Sequence, residues 1–236
     1  MSRGIYVALS GAIAQENALD ATATNVANAS STGYQRLRPV FRQVLANADP
    51  QLRYGALDHT ALDTEAGAIK KTGRSLDVAM PAGTYLAVTT PRGERYTRAG
   101  SLVVAADGTL KTTSGTPVAG DIKANPIGEP VQIAPDGTVK QGKDTIGSLK
   151  LVTFEKPEAL ASEGASTLAV GGAGAVKPST ALLEVGALEE SNAQPVTEMT
   201  SMMTASRTFE AFQKVLDTLG EVDRKLLTTV PNGGEE

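Results

Sequence analysis

Near the C-terminal end of the chain, Met202, Ala205, Phe209, Phe212, Leu216, Leu219, Asp223 and Leu226 are spaced 3, 4, 3, 4, 3, 4, 3, and seven of these eight are apolar. That spacing is a heptad seam, which suits a helix lying against other helices along its length. Pro195 fits the first turn of such a helix, where its missing N–H costs nothing, and Ser191 or Asn192 is placed to cap it. At the other end, Ile5, Ala12, Leu19 and Val26 recur every seven residues, with Leu9 and Ala23 beside them. The Ala-rich, Pro-free stretch Ser2 to Asn28 therefore reads as a second helix, stopping near Ser30-Ser31-Thr32-Gly33. Burying the Met202 to Leu226 seam is worth on the order of 10 kcal/mol at ~25 cal/mol per Å². A two-helix hairpin covers only one side of each helix. The sequence therefore predicts helix packing between molecules, with the termini ordered in an assembly.

Between the helices, from about Gly73 to Val185, the period changes to two and Gly, Pro and Asp punctuate the chain. Tyr85 to Thr89, Ser101 to Val104, Val131 to Ile133 and Leu149 to Val152 read as strands, and Asp107-Gly108 and Asp136-Gly137 as hairpin turns. The expected fold is α+β: N- and C-terminal heptad helices, coiled-coil-like, flanking an all-β antiparallel middle domain, a sandwich or irregular barrel. The expected domains are 1–37, the N-terminal helix and the turn after it; 38–72, a polar connector; 73–187, the β domain; 188–230, the C-terminal helix; and 231–236, a disordered tail. Ala165 to Pro178 reads as a Gly/Ala-rich loop.

Composition narrows the function. Aromatics are 4% with no Trp, so a core must rest on Val, Leu, Ile and Ala. A net charge of -4 without a basic run argues against nucleic-acid binding. The absence of Cys excludes disulfides and thiolate sites. No apolar stretch reaches the length of a membrane span, and the first residues lack the apolar core of a cleavable signal peptide.

Candidate chemistry is weak throughout. His59 is the only histidine, so a Ser-His-Asp site would depend on it alone, and no GxSxG elbow accompanies it. Gly171 to Lys177 superficially suggests a phosphate loop but matches neither GxxxxGK[ST] nor GxGxxG, and Pro178 blocks the following helix. Asp77, Asp107, Asp136 and Asp144 read as turn and structural carboxylates rather than catalytic pairs. Met199, Met202 and Met203 read as core positions shared between subunits, or equally as an adaptable binding surface. No catalytic, cofactor-binding or metal-ligating residue is assigned, no cofactor is implied, and the chain reads as a non-enzyme.

Several motifs then point one way. Asn25 to Tyr34 resembles the "NLANxxTxGF" signature of flagellar rod and hook proteins, with Val26 for the usual Leu and Tyr34 for the usual Phe. Thr72 to Ala79 is similar to "TGxxLDVA", Tyr96 to Ser101 to "YTRxGS" and Asp107 to Leu110 to "DGxL". Gly186 to Asn192 is similar to "GxLExSN", and Glu198 to Glu210 to "EMxxMIxxxRxFE". The resemblance to the bacterial flagellar basal-body rod and hook family runs in order along almost the whole chain. The short connector between Arg38 and Thr72 leans towards its proximal rod members over its distal ones.

The resemblance implies a subunit that stacks helically into the hollow drive shaft between motor and hook. It implies a periplasmic place in the flagellar basal body, reached through the flagellar type III export apparatus without a cleavable signal. Its partners would be other copies of itself and neighbouring rod proteins, with no nucleic acid and no membrane insertion. The assembly interface would comprise Ile5, Leu9, Ala12, Leu19, Asn25, Val26 and Asn28 on the N-terminal side. On the C-terminal side it would comprise Met202, Ala205, Phe209, Phe212, Leu216, Leu219 and Leu226. The alternatives are a distal rod protein, an adhesive or carbohydrate-binding β domain on a coiled-coil stalk, and a peptidoglycan hydrolase. The adhesive reading needs aromatics lining a groove, and the chain has only five Tyr and four Phe. The hydrolase needs a carboxylate in a cleft.

Overall fold

The computed structural model describes residues 2–46, 49–120, 122–164 and 166–229. The tail 231–236 and the side chains of Asp223 and Leu226 lie outside the described part. The chain divides into a helical unit, Met1–Thr24, Arg38–Thr60 and Val196–Glu236, and a β unit, Asn25–Leu37 and Ala61–Pro195. The architecture is α+β, as the change of period from seven to two implies.

In the helical unit, α1 (Ser2–Ala27) and α2 (Pro195–Thr229) pack together. A Cβ on Gly11 would lie 2.5 Å from two Phe212 ring carbons, and one on Gly4 would lie 3.7 Å from Leu219. These contacts are seven residues apart on each helix and in opposite order, so the helices run antiparallel, matched heptad to heptad. Ala12 and Ala205 are buried, while Ile5, Leu19, Met202, Phe209, Phe212, Leu216 and Leu219 are half-buried. The seam expected to be covered only by other molecules is thus partly covered within the chain. The absent side chain at Gly11 makes room for the Phe212 ring.

This fit predicts a change of sign. Ala in place of Gly gains up to about 1 kcal/mol of helix propensity. With Phe212 present, Gly11→Ala drives a methyl into the ring and destabilises. In a Phe212→Ala background the same change stabilises, and urea unfolding of the four proteins followed by helical circular dichroism reads both signs. The hairpin β1 (Leu37–Ala46) and β2 (Asp49–Leu62) completes this part of the chain. It replaces most of the connector expected over 38–72, where a polar sequence hid the pairing.

The β unit begins with β3 (Ile69–Lys71), β4 (Val78–Ala79), β5 (Thr84–Thr90), β6 (Gly93–Thr97), β7 (Leu102–Val104) and β8 (Leu110–Thr112). It continues with β9 (Val131–Ile133), β10 (Thr138–Gln141), β11 (Asp144–Ser148) and β12 (Leu151–Phe154). Last come β13 (Ala161–Ser162), β14 (Leu168–Ala169), β15 (Val176–Pro178), β16 (Glu184–Val185) and β17 (Ala187–Glu189). The main sheet runs β13-β14-β6-β5-β12-β15, and a smaller one runs β11-β10-β9. Two short strands, β14 and β15, fall in the segment read as a Gly/Ala-rich loop.

Strand β5 is covered on both faces, which is why Thr84 to Val88 are all buried and its alternation is lost. Leu86 joins Leu102, Val139 and Leu151 in a wholly non-aromatic core. Tyr85 and Ala87 join Tyr96, Val152 and Leu168 on the other face. There Phe154 meets Tyr85 and Tyr96 edge-on, at centroid distances of 5.5 and 4.8 Å. Both Asp-Gly turns form as expected. Asp107 accepts the Thr109 hydroxyl and the Thr109 N–H, the latter at 3.0 Å, and Asp136 accepts the Thr138 N–H at 2.9 Å, bonds that hold both carboxyls below their usual range.

Candidate assembly interface

Four of the six signature segments, far apart in sequence, meet in the β unit around one buried ion pair. Arg98 and Glu189 are each only 2% exposed. All five guanidinium N–H groups of Arg98 find acceptors. Nε donates to Glu189 Oε2 at 2.9 Å, and Nη2 to Glu189 Oε2 and to the Met80 carbonyl at 3.0 Å. Nη1 donates to the carbonyls of Pro81 and Thr84 at 3.0 and 2.7 Å. The guanidinium also lies 5.7 Å from the centroid of Tyr85, whose phenol burial holds above its usual value.

Glu189 reaches further through its other atoms. Its Oε1 accepts the Gly67 N–H at 2.9 Å, and its carbonyl accepts the Gly33 N–H at 2.8 Å. Two glycines let the backbones approach this closely. A Cβ on Gly100 would fall 1.6 Å from the Val78 carbonyl oxygen, and one on Gly33, at φ 65°, would fall 2.2 Å from the Arg98 carbonyl group.

Two asparagines tie the strands by which the chain enters and leaves this unit. Asn25, 1% exposed, donates to the Leu37 carbonyl at 3.0 Å and accepts from the Leu37 N–H at 2.8 Å and the Tyr34 hydroxyl at 3.0 Å. Asn192 accepts the Arg36 N–H at 2.6 Å and donates to the carbonyls of Asp63 and Glu65 at 3.0 and 2.9 Å. Arg36 in turn donates to Asp63 through Nε at 3.2 Å. Asn192 is therefore a cross-link between segments rather than the expected helix cap.

The side chain of Asn25 is committed within the chain, where it holds the turn between Tyr34 and Leu37. Asn28 accepts the Ser31 hydroxyl within the same turn, and Val26 is half-buried there. Asn25→Ala would leave both polar groups of Leu37 short of a partner. We expect a loss of about 2–3 kcal/mol in urea unfolding of the β unit, at 1–3 kcal/mol per unsatisfied buried group.

Sequence reading gave Arg98 and Glu189 no role. The available signal was a charge set among apolar and small residues, Thr97-Arg98-Ala99-Gly100 and Ala187-Leu188-Glu189.

The helical unit carries the second element. On α1, Tyr6, Leu9 and Ile13 are 68%, 43% and 49% exposed and share one stripe by their 3, 4 spacing. On α2, Val196, Met199 and Met203 repeat that spacing in the exposed state, and Val215 and Val222 follow seven apart. A shallow apolar groove of about 340 Å³ lies along Ala211, Lys214, Val215, Thr218 and Leu219. The hydroxyls of Thr200, Thr204, Thr208 and Thr218 each donate to the carbonyl four residues back at 2.8–2.9 Å. A neighbour covering this face need therefore not satisfy them. Of the expected contact residues, Leu9 lies on an exposed face, whereas Ala12 and Ala205 are buried within the chain.

The carboxylates weighed as candidates are dispersed. Asp77 is buried beside Arg74 Nη2 at 3.3 Å, and Asp144 is exposed at the start of β11. His59 is exposed, with Nδ1 3.0 Å from Asp58. Among the described residues no group of metal-ligating side chains comes together, and no helix is long and apolar enough to cross a membrane.

Three family models match in chain order. "Flagella basal body rod protein" covers residues 5–35, "Flagellar hook protein FlgE/F/G D1 domain" 80–141 and "Flagellar basal body rod FlgEFG protein C-terminal" 184–229. The flagellar basal-body rod protein FlgF of Caulobacter vibrioides is 32% identical over 235 residues, spanning 95% of this chain and 96% of its own. FlgF of Salmonella typhimurium is 34% identical over 245 residues, spanning 94% and 95%. FlgG of Bacillus subtilis is 29% identical over 261 residues, spanning 96% and 98%. With likeness of this grade from end to end, and with four of the six signature segments converging on one buried node, the chain belongs to the flagellar basal-body rod protein family.

Proposed function

We propose that this chain is a proximal rod subunit. It assembles helically with other copies of itself and with neighbouring rod proteins into the shaft between motor and hook. The observation that carries this reading is the exposed apolar stripe on each terminal helix, left open after α1 and α2 have paired. Such stripes suit heterologous contacts, which join different patches of identical subunits and build a helix rather than a ring. Its place in the rod is periplasmic, reached through the flagellar type III export apparatus. A Cys-free chain can pass through such a route without forming cross-links.

The proximal position is favoured over the distal one by the short segment 38–72. The Bacillus subtilis FlgG alignment runs to 261 positions against 235 for the Caulobacter FlgF. Expression in a motile strain lacking its own proximal rod protein tests the proposal. Restored swimming, with the chain present in purified basal bodies, is the expected result. Restoration only in a strain lacking the distal rod protein would reverse the placement.

A further inference from the structure

The β unit displays one apolar side chain in an unusual setting. Ile127 is 96% exposed, the most exposed of the large hydrophobics among the described residues. Asn125, Pro126, Ile127 and Gly128 form a turn closed by the Gly128 N–H on the Asn125 carbonyl at 3.0 Å. Asn at the first position, Pro at the second and Gly at the fourth are the residues a type I turn favours. Asn125 Oδ1 accepts the Ile127 N–H at 3.1 Å.

The turn is then braced from β10. Gln141 Oε1 accepts the Asn125 N–H at 2.8 Å, and its Nε2 donates to the carbonyls of Asn125 and Glu129, both at 2.8 Å. A Cβ on Gly128 would lie 2.8 Å from that Nε2, so a side chain there would push the amide out of its present position.

A lone exposed apolar residue is ordinary. Here an amide side chain is committed to fixing the backbone on both sides of it. Rigidity of this kind lowers the ordering cost of binding. We infer that Ile127 is a preformed knob that inserts against a second copy of this chain, an inference that rests on the rod reading above.

The same chain must then carry the receiving patch, because a non-closing contact joins two different surfaces of identical subunits. In the β unit, the other large apolar side chain more than half exposed among the described residues is Leu182, at 66%. Its segment is also pinned, by the Ser179 N–H on the Leu151 carbonyl at 2.9 Å and the Leu183 N–H on the Pro135 carbonyl at 2.7 Å. Leu183 is buried in the core while Leu182 faces water. Both halves of the contact are fixed before association.

The chain has no cysteine, so introduced ones report without background. Rods would be assembled in cells from chains carrying Ile127→Cys, Leu182→Cys or both together, then treated with a short bis-maleimide. In parallel, rods would be assembled from chains carrying a photoreactive benzophenone amino acid in place of Met203 on the helical face, which captures a neighbour without a second thiol. The expected result is a ladder of multiples of this chain from the doubly substituted protein and none beyond dimer from either β-unit single variant. Adding Gln141→Ala, which frees the turn, should cut ladder yield by roughly 2- to 12-fold, the range for losing one side chain's pre-ordering. If the benzophenone at position 203 forms adducts and the Ile127/Leu182 cysteine pair forms none, the knob is overturned and the rod reading stands. Adducts of position 127 with a different protein also overturn it. Adducts from no position would remove the rod packing on which the knob depends.

Discussion

Glu189→Ala is expected to unfold the β unit or bring it to the edge of unfolding. The carboxylate it removes is the only ionic partner of Arg98 among the described residues, and both residues are 2% exposed. Breaking a buried ion pair by deleting one member costs about 3–5 kcal/mol, because the surviving charge is left in a low-dielectric interior. That is a large share of the ~5–15 kcal/mol by which a domain is stable. Arg98→Met fails differently. It strands the Glu189 charge and takes the donors from the carbonyls of Met80, Pro81 and Thr84 together. Glu189→Gln keeps an acceptor for Nε and should lose less than Glu189→Ala.

Urea unfolding of the full-length variants, followed by tyrosine fluorescence of the buried Tyr85 and Tyr96, measures the order. A cycle with Arg98→Met/Glu189→Met should show strong non-additivity, the double change costing less than the two single changes summed. A loss below about 1 kcal/mol for Glu189→Ala would mean that solvent reaches the pair, and the node would be no more than a surface bridge.

The node also explains the limits of reading this sequence. The helices were legible because their information is local. A 3, 4 spacing from Met202 to Leu219 and the Ala-rich run from Ser2 define two long elements without reference to anything distant. The turns at Asp107-Gly108 and Asp136-Gly137 were legible for the same reason.

Partners across long separations were not legible. Arg98 and Glu189 are 91 positions apart, and Asn192 and Arg36 are 156 apart. Nothing at either end of such a pair names the other. The signature segments carried the resemblance, yet their spacing gave no hint that they serve to hold one another. The bonds of Asn25 to Tyr34 and Leu37 were equally hidden, since neither partner is marked in the sequence. The β1–β2 hairpin was missed because Arg38 to Leu62 mixes charge with scattered apolar residues and shows little alternation to detect.

Met203→Asp combined with Val215→Asp should abolish assembly while leaving the monomer folded. Phe209, a central heptad position, is less suited to this purpose: it is half-buried in the chain's own helical unit, so a charge there would confound packing with assembly. Met203 and Val215 are 56% and 48% exposed, and surface changes of this kind alter monomer stability by about 0.5 kcal/mol or less. In an assembled shaft the same carboxylates would be driven into apolar contacts. Burying an ionised group without a partner costs far more than the ~2–7 kcal/mol of an unpaired neutral polar group. The cost recurs at every subunit contact, so a helix of such subunits cannot extend.

Two measurements separate the effects. Helical circular dichroism with urea should give a midpoint within error of the unsubstituted chain, while basal bodies from complemented cells should lack the protein and the cells should not swim. Were the doubly substituted chain to assemble and support swimming, the exposed stripes would be idle surface. The rod contacts would then have to run through other faces, with the pinned Ile127 and Leu182 patches of the β unit the first to examine.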